Sequence, residues 1–140
     1  VIDQNPLNPT DAPLRFRPVA AKELSVPRIH TLFVCARNQW RSPTAERIFR
    51  DDSRFSVRSR GLSPQSPRQI TLTDVAWADR IFVMETKHRT RLVERFQEAL
   101  HEKPIHVLDI PDDYPFMDPE LIELLRERVE WHFRGPDDRP

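Results

Sequence analysis

The chain has 140 residues, enough for one domain with a modest core. Its 22 basic residues are matched by 22 acidic ones, and that balance argues against a nucleic-acid or general membrane-binding surface. No apolar run approaches about 18 residues, so nothing reads as membrane-spanning. The N-terminus lacks a basic-then-apolar signal pattern, and the single cysteine allows no internal disulfide. These features together suggest a cytoplasmic protein.

Residues 1–28 carry five prolines, at 6, 9, 13, 18 and 27, and read as a Pro-rich N-terminal extension. Leu14, Phe16 and Val19 offer it a means of docking on the body, and a lid over the functional site is its sharper reading. Ile29 to Val34 is an apolar, partly β-branched first strand. Cys35 follows it, and Arg41, Ser42 and Pro43 come after a five-residue gap. Ser42 to Arg50 is the first helix, with Pro43 in the first turn, where its missing N–H costs little. Ala45, Ile48 and Phe49 form its apolar face. Phe55 to Ser59 alternates as a second strand. Gly61 opens a Ser/Pro/Gln stretch to Arg68, and Thr73 is placed as the cap of a short helix bearing Val75, Ala76 and Trp77. Ile81 to Met84 is a third strand of the continuously apolar kind. A helix from Lys87 to Leu100 turns Leu92, Val93, Phe96 and Leu100 to the core. Ile105 to Leu108 is the fourth strand, and 109–117 is a loop with Asp112, Asp113 and Tyr114. Asp118 caps a last helix with Pro119 in its first turn, burying Leu121, Leu124, Leu125, Val129 and Phe133. Residues 135–140 form a polar tail.

Strands alternating with helices predict one α/β domain, residues 29–134, around a mainly parallel sheet. Ligands of such sheets bind beyond the carboxyl ends of the strands. The Cys35 loop leaves strand one at that end, and the Asp112 loop leaves strand four there too. Two distant segments therefore meet across one pocket.

A strand, a tight loop and a helix start direct backbone N–H groups toward one point, and the helix dipole adds positive potential there. Such surroundings hold an anion and favour the thiolate form of a neighbouring cysteine. Arg41 supplies a planar clamp for two oxyanion atoms. With a phosphate monoester in the loop, Cys35 is placed for in-line attack, giving a cysteinyl-phosphate. Loop N–H groups and Arg41 stabilise the equatorial oxygens of the transition state. Asp112 or Asp113 can protonate the leaving group and then activate water. Ser42 can donate to the thiolate. Arginine and backbone groups supply the positive field, so no metal and no other cofactor is expected.

Blander roles compete. A lone cysteine ending a strand is often a small buried hydrophobe, and an acidic pair before a tyrosine is ordinary turn chemistry. The five histidines show no metal-ligand spacing. His88 lies within reach of the pocket rim. Arg37 either extends the anion site or points to solvent. Trp40 reads as packing or pocket wall, and Tyr114 as an aromatic wall against a substrate ring.

The run Val34-Cys-Ala-Arg-Asn-Gln-Trp-Arg-Ser-Pro-Thr-Ala-Glu46 resembles the V-C-x-G-N-x-C-R-S-P-x-A-E signature of the low-molecular-weight protein tyrosine phosphatases. Ile110-Pro-Asp-Asp-Tyr114 stands where that family carries its Asp-Pro-Tyr loop, and the resemblance extends over about Ile29 to Phe133. It implies a single three-layer α/β domain with a four-stranded parallel sheet of order 2-1-3-4, helices on both faces, and a phosphate-binding loop of Ala36, Arg37, Asn38, Gln39 and Trp40. It implies Cys35 as nucleophile, Arg41 as phosphate clamp and Ser42 as the thiolate's hydroxyl partner. Asn38 becomes the left-handed residue that stiffens the loop, and Ser59 its hydrogen-bond partner. Asp112 becomes the general acid, preferred to Asp113 on this ground alone, and Tyr114 the aromatic wall. The implied substrate is a phosphorylated protein or a small aryl phosphate, phosphotyrosine above all.

Departures from the pattern keep other functions open. Arg37 replaces a glycine, Trp40 the second cysteine, and Asp113 the proline of the acid loop. Gln39 stands where tyrosine phosphatases often carry an apolar residue and arginine-phosphate phosphatases a threonine, so the substrate side chain is open. The stretch from Gly61 to Val75 is short, and the N-terminal extension is a candidate to replace part of the missing rim. A module that binds phosphorylated partners without turnover is one alternative. A thiol-coupled arsenate reductase-like activity is another, and it needs an external thiol because this chain has no second cysteine. Oligomeric state is not legible.

Overall fold

The computed structural model describes residues 27–134; the tail at 135–140 and all of the N-terminal extension except Pro27 and Arg28 lie outside them. Strands β1 (Ile29–Cys35), β2 (Phe55–Gly61), β3 (Arg80–Val83) and β4 (Ile105–Val107) form one sheet of order β2-β1-β3-β4. Every neighbouring pair is parallel, as the alternation of strands and helices predicts. Helices α1 (Arg41–Phe49), α2 (Leu72–Trp77), α3 (Thr86–Phe96) and α4 (Pro119–Arg134) complete the layers.

The two-residue period of β1 sorts its side chains between two cores. Phe33 and Cys35 join Phe82, Met84, Ala45, Phe49, Leu121, Leu125 and Val129, so α1 and α4 cover one face. Leu32 and Val34 join Ile81, Val83, Val75 and Leu92, so α2 and α3 cover the other. Phe33 stacks between Phe49 and Phe82, with ring centroids 5.7 and 5.5 Å away. Truncating a buried phenylalanine of this kind to alanine costs about 3–5 kcal/mol. The central strand that carries Cys35 is therefore rigid on both faces.

Three sequence expectations shift. The cap of α2 is Thr71, not Thr73: its hydroxyl accepts from the Asp74 N–H at 3.2 Å, and the Asp74 carboxylate accepts from the Thr71 N–H at 3.0 Å. That reciprocal pair needs an acid three residues after the cap, and Thr71 has one. Helix α3 ends at Phe96 rather than Leu100, and Val93 is exposed while Leu92 and Leu100 are buried. His88 is fully buried rather than on a rim: its Nδ1 accepts from the Glu85 N–H at 3.1 Å at the start of α3.

His88 links this packing to pH. Its acceptor role at Nδ1 puts the proton on Nε2, a buried atom with no partner. Burial, then the nearby Arg41 charge, lower its pKa from 6.5 to about 4. Above 6.5 the imidazole is neutral in both folded and unfolded chains. Below 6.5 only the unfolded chain takes up the proton, so stability falls as pH drops toward 4. This one group withdraws about 3 kcal/mol by the end of that range. Urea unfolding across pH 7 to 4 is expected to show the decline. His88→Asn should flatten part of it, with the remainder shared by His106 and His132, whose pKa values burial also lowers, and, toward pH 4, by the depressed carboxyls of Asp52, Asp74 and Glu85. An unchanged slope in His88→Asn would refute the assignment.

Among the described residues no helix is long and apolar enough to cross a membrane.

Candidate active site

Cys35 is the last residue of β1 and pairs with Gly61 at the end of β2. The loop after it is held open by its neighbours. The Cys35 and Ala36 carbonyls accept from the Leu62 and Ser63 N–H groups at 3.0 and 2.8 Å. Asn38 has φ 56°, a left-handed conformation that asparagine tolerates better than most residues. Gly61 supports this turn by having no side chain. A Cβ there would lie 2.0 Å from the Ser66 Oγ and 2.9 Å from the Arg37 backbone carbonyl carbon. Trp40 precedes α1 without giving it a side-chain cap, so the first-turn N–H groups remain available to a ligand.

A directed hydrogen-bond chain ends on the sulfur. Cys35 Sγ lies 2.9 Å from Ser42 Oγ and accepts from the Asn38 N–H at 3.3 Å. The Asn38 amide donates to Ser42 Oγ at 3.0 Å and to Ser59 Oγ at 3.1 Å. Ser42 therefore has its own proton left for the sulfur, or for the Arg60 carbonyl at 3.5 Å, and the shorter contact is the stronger. Ser59 in turn donates to Glu46 Oε1 at 2.6 Å, and Arg68 Nη2 donates to Glu46 and Ser59 at 2.8 and 2.9 Å. The Glu46 carboxylate fixes the proton direction of Ser59, and the Asn38 amide, donating to both hydroxyls, leaves Ser42 a proton to give.

Arg41 is 3% exposed. Its Nη1 donates to Glu85 Oε2 at 2.5 Å and to the Ile110 carbonyl at 2.7 Å. These two acceptors use both Nη1 protons, so the Nε–Nη2 edge is the one able to grip two phosphoryl oxygens. Burial alone would raise the Glu85 carboxyl pKa, but the Arg41 hydrogen bond and charge outweigh it and hold it below the usual carboxylate range.

The acid loop is fastened at both ends. The Leu108 and Ile110 N–H groups donate to the Val83 and Met84 carbonyls at 2.8 Å each. Arg128 of α4 donates to the Leu108 and Asp109 carbonyls at 2.7 and 2.9 Å. The far end is held by the Met117 N–H donating to Thr44 Oγ1 at 2.9 Å. Asp112, 59% exposed, thereby comes within 3.7 Å of Arg41 Nε. A cavity of about 300 Å3 opens over the cysteine, lined by Cys35, Ala36, Arg37, Gln39, Trp40, Arg41 and Asp112.

The two loops that share an end of the sheet thus meet. Arg37 is exposed on the cavity wall, 3.5 Å from Gln65. Asp113 is exposed and is not among the lining residues. Tyr114 also lies off the cavity: it packs on the core and its hydroxyl donates to Glu120 at 3.4 Å. Glu85, Glu46 and Arg68 belong to the site and escaped the sequence reading. Glu46 lay inside the signature, but a charged helix residue there carries no role until Ser59 is seen beside it. Among the described residues no group of three His, Cys, Asp or Glu is placed to hold a metal ion.

No protein-family model matches the sequence, and no curated protein sequence does. Solved structures do match. The tyrosine phosphatase Wzb from Escherichia coli K30, in complex with phosphate, is 20% identical with a TM-score of 0.61, over 77% of this chain and 99% of that one. SP-PTP, the low molecular weight protein tyrosine phosphatase from Streptococcus pyogenes, is 22% identical with a TM-score of 0.59, over 78% and 95%. The YwlE arginine phosphatase from Geobacillus stearothermophilus is 22% identical with a TM-score of 0.56, over 80% and 98%. Together with the strand order and the layers, these likenesses give the chain the three-layer α/β fold of the low-molecular-weight protein tyrosine phosphatases.

Proposed function

We propose that the chain hydrolyses phosphate monoesters without a metal, through a cysteinyl-phosphate, with phosphotyrosine or a similar aryl phosphate as substrate. The observation that carries the reading is the seat of the Cys35 sulfur: at the floor of the cavity, against the Ser42 hydroxyl and the Asn38 N–H. Both groups stabilise a thiolate, the form that attacks phosphorus. In the first step a sulfur–phosphorus bond forms as the ester oxygen–phosphorus bond breaks. Asp112 protonates the departing oxygen. The Nε–Nη2 edge of Arg41 and the first-turn N–H groups of α1 hold the phosphoryl oxygens through the transition state. In the second step Asp112, now a carboxylate, takes a proton from water as it attacks phosphorus, and the thiolate leaves with the Ser42 hydroxyl as its donor.

The test is a pH–rate profile for p-nitrophenyl phosphate with EDTA present. Asp112→Asn is expected to lower kcat by about 10²–10⁴-fold, more for esters with poorer leaving groups, while Asp113→Asn changes little. A large loss in Asp113→Asn alone would move the acid role to that residue.

One observation favours a second reading, recognition of a phosphorylated partner without turnover. Asp112 rests beside Arg41 rather than standing clear of it. Absence of hydrolysis by the parent, combined with tight phosphate binding, would select that reading.

A further inference from the structure

A second recess lies along α1, whose first residue, Arg41, lines the cysteine cavity. It measures about 230 Å3 and is lined by Pro43, Glu46, Arg47, Arg50, Arg68 and Phe116. The two hollows share their walls in sequence. Trp40 and Arg41 line the first and Pro43 the second, while Asp112 lines the first and Phe116 the second. Phe116 is 46% exposed and Trp40 43%, so each hollow has an exposed aromatic side chain in its wall.

The charge of the recess is unbalanced. Its one acid, Glu46, accepts from Ser59 and Arg68 and has its charge matched there. Arg47 and Arg50 are exposed, and no carboxylate among the described residues forms an ion pair with either. Arg47 lies in the last turn of α1, where a cation also complements the helix dipole. That local role does not account for a recess walled by a proline and a phenylalanine.

We infer that this recess receives an acidic segment of a phosphorylated polypeptide whose phosphorylated side chain occupies the Cys35 cavity. The inference rests on the phosphatase reading and narrows its substrate class from aryl phosphates in general to proteins or peptides. Helix geometry sets the spacing. Arg47 is six residues beyond Arg41, about 9 Å along the helix at about 1.5 Å per residue and about 120° round it, so the axial rise is the least distance to be spanned. An extended peptide advancing about 3.3 Å per residue needs at least about three residues to cover it. The preferred aspartate or glutamate therefore stands about three to five positions from the phosphorylated residue, with a second acid beyond it facing Arg50. A free aryl phosphate ends inside the first cavity and does not reach these arginines.

The experiment compares two phosphotyrosyl peptides, one flanked at that distance by aspartates and one by lysines, with p-nitrophenyl phosphate as a third substrate. The proteins are the parent, Arg47→Glu/Arg50→Glu and the milder Arg47→Gln/Arg50→Gln. The parent is expected to favour the aspartate peptide in kcat/KM. Charge reversal should raise the KM of that peptide by about tenfold, a sum of exposed ion-pair contributions, and should lower the KM of the lysine peptide. The glutamine variant should erase the preference, and added salt should weaken it in the parent. Constants for p-nitrophenyl phosphate should stay at the parent values, which also reports intact folding. Equal changes for both peptides, or none, would overturn the inference while leaving the phosphatase reading in place. If the parent hydrolyses none of the three, the phosphatase reading fails instead. Direct binding of the two intact peptides to the same proteins then decides the recess: a charge-dependent preference supports it, and equal affinity overturns it.

Discussion

Cys35→Ser is expected to reduce kcat for p-nitrophenyl phosphate by about 10⁴-fold or more, the scale on which loss of a catalytic nucleophile acts. The substitution is nearly isosteric, and the sulfur's neighbours can serve an oxygen equally well: the Ser42 hydroxyl 2.9 Å away and the Asn38 N–H at 3.3 Å. What changes is the nucleophile. Sulfur is both the stronger nucleophile toward phosphorus and the better leaving group in the second step. Phosphate affinity should survive, because Arg41 and the α1 N–H groups are untouched. Rapid-quench experiments with a labelled aryl phosphate are expected to trap phosphate on Cys35 in the parent. Full turnover by Cys35→Ser would end the cysteinyl-phosphate reading.

The second large effect belongs to Glu85, which reacts with nothing. Removing it leaves the buried Arg41 guanidinium without the carboxylate now 2.5 Å away. Breaking such a pair costs about 3–5 kcal/mol, because an uncompensated buried charge remains. Asp112, already 3.7 Å from Arg41 Nε, is then drawn toward the arginine and away from the leaving group. Glu85→Ala is therefore expected to lower both the urea midpoint and kcat/KM, the latter by about 10²-fold. Glu85→Gln keeps an acceptor for Nη1 and should recover much of the rate. A role in fold stability alone would leave the kcat of the folded fraction at the parent value in both variants, and that result would refute the positioning role.

The sequence was most legible where chemistry is contiguous. Cys35 to Ser42 are one short contiguous stretch, so their meeting needs only a strand end, a turn and a helix start. The sheet was legible too. Apolar runs separated by helix-length segments force a parallel arrangement, and the resemblance supplied the order found here, β2-β1-β3-β4. Caps were read less well. Thr71 and Thr73 are both plausible caps, and only Asp74 reaching back to Thr71 separates them. The rim position that the sequence leaves open to His88 is not taken up, because the ring is buried as part of the turn that starts α3.

By itself, then, the sequence determined an alternating α/β chain with a parallel sheet, and it placed the Cys35–Arg41 loop and an acidic loop at one end of that sheet. Periodicity and the direction of parallel strands are enough for that. Only the tertiary structure decided what holds those groups in place. Glu85 meets Arg41 across 44 residues and Arg68 meets Glu46 across 22. Tyr114 packs on the core and Phe116 lines the basic recess, although only Pro115 separates them. None of these has a local signature. Charged side chains on helices and loops face water by default, and they acquire a partner only when the sheet brings distant chain segments within hydrogen-bond distance.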